Sequence, residues 1–216
     1  MHLVVVNETR HRMASMGAAL LDIAERSFVA ALFAQFVWRF CNSSEPITLL
    51  SALLVLGETS PFFYIMLRKP SATLSRRLSD WLIGLTAVVL PLMAIPAPTR
   101  PLVPTLICFL LMLTGTVTQL SAKIILGRRF GLIAANRGVV KSGPYRFVRH
   151  PMYAGYTLTH IGFVLASPSA INALLYVGAF GLQILRILRE ERVLKRDSAY
   201  AEFAEKVRYR MAPGIF

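Results

Sequence analysis

Two cysteines, Cys41 and Cys108, and eleven acidic residues against 24 lysines and arginines are all that 216 positions hold of these types. Each thiol falls in or beside an apolar run, and no CxxC or Cys/His spacing accompanies it. A disulfide framework and a metal site therefore lack their ligands, and no metal is expected. Residues 1–16, with Arg10, His11 and Arg12, lack the short apolar core and small-residue cleavage site of a signal peptide. No glycine pattern for nucleotide binding, fixed-period repeat or low-complexity tract is present. Charged residues make up only 16%. Hydrophobic residues are abundant at 55%, with a mean hydropathy of +0.56. They fall in long runs, which read as membrane helices rather than as the surface of a soluble globule.

Spans are expected at about 17–41, 46–67, 78–96, 101–122, 152–166 and 170–188, followed by a charged tail of helical pattern. The fold class is all-α: a polytopic integral membrane protein of about six transmembrane helices, with a C-terminal helical hairpin and a cytoplasmic tail helix. Asp22, Glu25 and Arg26 make the start of the first helix amphipathic. Residues 42–46 and 68–77 read as a polar turn and a basic loop, and Lys123 closes the fourth span. Glu58 sits near the middle of the second span, a depth at which an ionisable group points either to function or to a carboxylate that is protonated or paired with an arginine of a neighbouring helix. Pro61 shortly after it should kink that helix.

The net charge of +13 would suggest nucleic acid in a soluble chain, but its placement argues otherwise. Of the 24 basic residues, 22 fall in alternate segments, namely 1–26, 68–77, 123–149 and 186–216. That is the positive-inside pattern for six spans with both termini cytoplasmic. The basic charge is a topology signal and a contact for anionic headgroups, so the membrane is the expected partner and nucleic acid is not. Oligomeric state is left open.

One stretch stands apart. Ser142–Gly155 reads SGPYRFVRHPMYAG at the mouth of an apolar run. Gly143 and Pro144 make a firm turn ahead of Tyr145. Pro151 suits the first position of a helix, whose N-terminus favours an anionic group. Arg149 adds a fork of donors for carboxylate or phosphate, and His150 can donate from either nitrogen. Tyr153 and Gly155 then lie in the first turns, and the small Gly155 admits a close ligand or helix. An interfacial anchor set of Arg and Tyr would use the same residue types. Charge returns at RILREE (186–191), where Arg186 and Glu190 share a helix face. The short Ser167-Pro168-Ser169 turn folds the two apolar runs back on each other, so His150 and Glu190 should meet at one membrane face.

GPYRFVRHPMYAG, the apolar hairpin, REERVL (189–194) and the tail KVRYRMAPG (206–214) together resemble the isoprenylcysteine carboxyl methyltransferase family. The resemblance covers about residues 120–216 and extends to phospholipid N-methyltransferases and membrane thiol methyltransferases. It implies transfer of a methyl group from S-adenosyl-L-methionine at the cytoplasmic membrane face. Residues 1–122 would then supply about four spans, and 123–216 the methyltransferase core. By motif match, Val139, Val140, Gly143, Pro144, Tyr145, His150, Tyr153 and Glu191 are expected to hold the cofactor. Arg149 and Glu190 are expected to be essential for turnover. The chain departs from the family pattern at Arg137 and at Ser198-Ala199. The leading acceptor is a carboxylate on a lipid-like or isoprenylcysteine-like molecule, with a phospholipid amine or a thiol as alternatives. A bacterial inner membrane is the expected location. From another class, a membrane binding or transport protein using Glu58 is the competing expectation.

Overall fold

Seven α-helices and two 3-10 turns, with no strand, account for the regular structure among the described residues. The computed structural model describes residues 2–42, 47–67, 77–131 and 138–216, with side chains from residue 17 onward except residue 18. The helices are α1 (His2–Cys41), α2 (Leu49–Leu67), α3 (Leu78–Leu92), α4 (Thr105–Leu126), α5 (Pro151–Ala166), α6 (Ala170–Leu194) and α7 (Ser198–Lys206). The 3-10 turns are Gly127–Arg129 and Gly143–Arg146. Of the expected basic loop at 68–77 and polar turn at 42–46, residues 68–76 and 43–46 lie outside the described residues, as does Arg137.

Among the described residues, three helical segments have the length and apolarity of a membrane span: Leu49–Leu67, Thr105–Arg129 and Ala170–Leu194. The all-α membrane architecture is thus as expected, while several boundaries differ, three of them with consequences for the polar residues. The first helix begins far earlier than residue 17. At 40 residues it is about 60 Å long, well beyond the roughly 30 Å of a bilayer's hydrocarbon core. The sixth helix passes residue 188 and continues to Leu194, which places Glu190 and Glu191 inside a helix instead of at an unfavourable C-terminal end. Lys123 does not close the fourth span. The helix runs one turn further, and Lys123 is wholly buried within the bundle.

Proline effects in α2 are answered locally. Pro61 leaves the carbonyl of Gly57 without its helical donor. The hydroxyl of Ser60 donates to that carbonyl at 2.7 Å, and the Lys123 ammonium approaches it at 3.4 Å. In a bilayer such a freed group must be satisfied internally, and these two side chains do it.

Helix packing sets where the site lies. Helix α5 lies against α4 through small residues. A Cβ on Gly155 would stand 2.6 Å from the backbone nitrogen of Gln119 and the carbonyl of Gly115, and one on Gly115 would stand 2.6 Å from the carbonyl of Gly155. Close backbone approach at small residues is how helices associate in lipid. The close neighbour that Gly155 admits is therefore a helix. Gly155→Val should destabilise the fold by about 1–3 kcal/mol through overpacking. A lowered melting temperature of the purified protein, with loss of the monodisperse species, would show it; an unchanged melting temperature would refute the packing role.

Helix α6 lies against α3, where Arg189 pairs with Asp80 and donates to the Ser79 hydroxyl. Because α5 follows α4 and α6 follows α3, the expected hairpin is splayed. An apolar cleft of about 350 Å³ separates its arms. At the Ser167 end, Asn172 donates to the carbonyl of Ile95 and accepts from its N–H, and the Ser167 hydroxyl clamps Ala97 in the same way.

Candidate functional site

At the other end of the hairpin the chain enters α5 through a built turn. Gly143 has φ +59°, in the left-handed region that favours glycine, and it starts the 3-10 turn Gly143–Arg146. This turn buries the Tyr145 ring. Pro151 is the first residue of α5, as its sequence suggests, with His150 in the cap position. The C-terminal tail then lies alongside. The N–H of Arg149 donates to the carbonyl of Tyr209 at 3.0 Å, and that of His150 donates to the carbonyl of Arg210 at 2.7 Å. An extended tail segment thus holds the Arg149–His150 backbone in place.

The two motifs meet as the short turn suggested, with His150 Nδ1 3.9 Å from Glu190 Oε2. The two acids differ sharply in their surroundings. Glu191 is buried and surrounded by donors: Arg149 Nε at 3.1 Å, His150 Nε2 at 3.4 Å, Arg210 Nε at 2.9 Å and the Tyr200 hydroxyl at 3.5 Å. It ties α5, α6, α7 and the tail together. Glu190 is partly open, with 21% of its side chain exposed. It accepts from the Tyr153 hydroxyl at 2.6 Å and lies 3.6 Å from Arg186 Nη2. The Arg186 guanidinium in turn stands over the Tyr153 ring at 5.3 Å.

A cavity of about 100 Å³ opens here. Val139, Val140, Tyr145, Arg149, His150, Tyr153 and Glu190 all line it. Gly143 and Pro144 do not; they shape the turn that carries Tyr145. Glu191 lies behind the wall, holding Arg149 and His150. Burial, then the charge of Glu190, pushes the Tyr145 phenol well above its ordinary range, so it stays a neutral donor. Burial and the nearby Glu191 act in the same direction on Tyr200. Arg149 Nε and His150 Nε2 are buried without a well-aligned hydrogen-bond partner, beyond their ionic approach to Glu191. Such groups cost about 1–3 kcal/mol each unless a ligand satisfies them.

Several residues at the site escaped the sequence reading. Tyr200 lines the cavity from α7, and Arg210 reaches Glu191 from the tail. The aromatic and basic richness of 200–210 was visible, but nothing in it assigned a partner. Ser198-Ala199, a departure from the family pattern, opens α7 under a cap in which Asp197 accepts from the Ala199 N–H at 2.9 Å. The buried Tyr200 and Phe203 then fix that helix against the body.

A second polar cluster lies deeper. His160 Nε2 is 2.7 Å from Glu58 Oε1, and both residues are buried. Lys123 contacts the Ser60 hydroxyl and Gln119 Oε1 and stands over the Tyr156 ring at 4.5 Å. Glu58 was legible as an intramembrane acid. His160 and Lys123, inside or ending apolar runs, were not singled out.

Residues 103–201 match the family model described as phospholipid methyltransferase, a stretch from just before α4 into α7 that contains every cavity-lining residue named above. This bears out the methyltransferase resemblance carried by the two motifs. A solved structure of a eukaryotic intramembrane Ras methyltransferase, an isoprenylcysteine carboxyl methyltransferase, is 18% identical; the alignment covers 77% of this chain and 74% of that one, with a TM-score of 0.47. No curated protein matches the chain.

Proposed function

We propose that this chain is a membrane methyltransferase, and that the cavity at the α5 N-terminus binds S-adenosyl-L-methionine and serves methyl transfer to a lipid-like carboxylate at the cytoplasmic membrane face; the match of residues 103–201 to the phospholipid methyltransferase family supports this reading. The observation that carries this reading is the convergence of Arg149, His150, Tyr153 and Glu190 with Val139, Val140 and Tyr145 on one cavity.

The residue set suits that cofactor. Val139, Val140 and Leu194 give apolar walls, and Tyr145 and Tyr200 give aromatic ones. Glu190 offers a carboxylate to ribose hydroxyls or an ammonium and complements positive charge. Arg149 and His150, each drawn to Glu191 from behind, face the cavity from its wall. When bound, the cofactor supplies an electrophilic methyl group on a sulfonium. An acceptor that is already anionic needs no strong base, so the protein's part is alignment and exclusion of water. Glu191 holds Arg149 and His150 in orientation. Arg149 spends Nε on Glu191 and Nη2 on the carbonyl of Arg208 at 3.3 Å, leaving further donors of its fork for a substrate carboxylate. The first 122 residues, on this division, frame the lipid side, and residues 123–216 carry the chemistry.

The family match also favours a second reading, a phospholipid amine as acceptor, and the same assay can screen amines and thiols beside carboxylates. Calorimetric binding of S-adenosylmethionine and S-adenosylhomocysteine to detergent-purified protein tests the site. Saturable binding is expected, weakened about tenfold or more in His150→Ala, a loss of about 1.4 kcal/mol. Absence of binding in protein shown to be folded would overturn the proposal.

A further inference from the structure

Three cavities follow one another along α5. The cavity at its N-terminus shares Met152 and Tyr153 with a small chamber lined by Glu58, Tyr156, Gln183 and Arg186. That chamber shares His160 with the apolar cleft between α5 and α6. At this junction the cleft changes character. His160 is stacked on Tyr176 with ring centroids 4.3 Å apart, and both rings line the cleft. Apart from Thr157, whose hydroxyl donates to the carbonyl of Tyr153, its other walls, including Ile161, Val164, Val177 and Phe180, are apolar.

The two aromatic residues each have an unmet hydrogen-bonding valence. Glu58 engages His160 through Nε2; a carboxylate there accepts from Nε2–H, which leaves Nδ1 as an acceptor. Among the described residues Nδ1 has no hydrogen-bond partner. The Tyr176 hydroxyl is buried and also has none, although the residue is 95% buried, with 5% exposed. Both stacked rings line the same cleft, and one ligand hydroxyl there would accept from Tyr176 and donate to His160. An ether oxygen would accept from Tyr176 but has nothing to donate to His160, and a bare methylene meets neither. A pair serving only to staple α2 to α5 would need Glu58 and His160 but no unpartnered tyrosine beside them.

We propose that the α5–α6 cleft binds the chain of a lipid carboxylate that bears a hydroxyl along its length, with His160, oriented by Glu58, and Tyr176 recognising that hydroxyl. His160 lies seven residues beyond Tyr153, about 10 Å along the helix, so the hydroxyl sits about that far below the group held at the cofactor cavity. This deepens the proposed function by naming the acceptor's chain chemistry, and it rests on that reading for the carboxylate end. His160 and Tyr176 are specificity residues on this account, and they take no part in methyl transfer itself.

Equilibrium binding of radiolabelled 10-hydroxystearate and stearate to the full-length protein in nanodiscs tests it, because the two acids differ only in the mid-chain hydroxyl. The wild type should prefer the hydroxy acid by about tenfold. Tyr176→Phe keeps the stacked ring and removes only the hydroxyl, so it should fold and should cut the preference to about twofold or less. Glu58→Gln, which weakens the hold on the histidine tautomer, should reduce it in the same direction. Equal affinity for the two acids in the wild type, or a preference unchanged in Tyr176→Phe, overturns the inference. S-adenosylmethionine binding is measured on the same samples. A hydroxyl preference without cofactor binding upholds this site and removes the methyltransferase reading, and the reverse result does the opposite.

Discussion

Arg149→Lys is expected to lower methyl transfer by about 100-fold or more, about 2.7 kcal/mol of transition-state stabilisation, with cofactor affinity changed less than about threefold. The substitution keeps the positive charge, so Glu191 keeps an ionic partner and the fold should survive. What is lost is the planar fork. Arg149 is 7% exposed and already divides its donors between Glu191 at 3.1 Å and the carbonyl of Arg208 at 3.3 Å. A lysine ammonium is a single point and cannot hold both while presenting a further pair of donors to a carboxylate. Single-turnover rates at saturating cofactor, set beside calorimetric affinity, separate the two effects. A rate within about threefold of wild type would remove Arg149 from the reaction.

Glu190→Gln is expected to have a comparable effect by another route. The neutral amide matches the carboxylate in shape, can still accept from the Tyr153 hydroxyl, and leaves Arg186 without its 3.6 Å counter-charge. At the cavity the loss is the negative charge facing a cationic cofactor. Affinity for S-adenosylmethionine should fall about tenfold or more, and affinity for the uncharged-sulfur product S-adenosylhomocysteine should fall less. Turnover should be nearly abolished. Equal losses for the two ligands would show that the charge of Glu190 does not face the sulfonium. Its neighbour is expected to behave differently: Glu191 touches Arg149, His150, Arg210 and Tyr200, so changing it should loosen the tail and the α5 entry together.

Much of this arrangement was legible in the sequence because the bilayer simplifies the physics. Long apolar runs must be helices, and a three-residue turn between two of them returns the chain to the same face. Hence His150 and Glu190 could be brought together from spacing alone. The α5 start at Pro151 and the turn at Gly143 followed from backbone preferences that hold in any context. What the sequence left open depended on tertiary partners. Lys123 looks like a charge at a span's end, yet Ser60, Gln119 and the carbonyl freed by Pro61 draw it inside. The difference between Glu190 and Glu191 is one of about 100° of helix rotation, which decides whether a carboxylate meets a cavity or a cluster of cations. The splay of α5 from α6 was hidden for the same reason: it is set by Gly115 and Gly155 across α4 and by Arg189 with Asp80 across α3.

The central claim is that the cofactor sits between the α5 entry and the α6 end, and photo-crosslinking addresses it most directly. Ultraviolet irradiation of the purified protein with tritiated S-adenosylmethionine, followed by peptide mapping, should place the label within residues 138–153 or 190–200. Excess S-adenosylhomocysteine should prevent it. Label confined to other segments, or label that S-adenosylhomocysteine does not displace, would contradict the assignment.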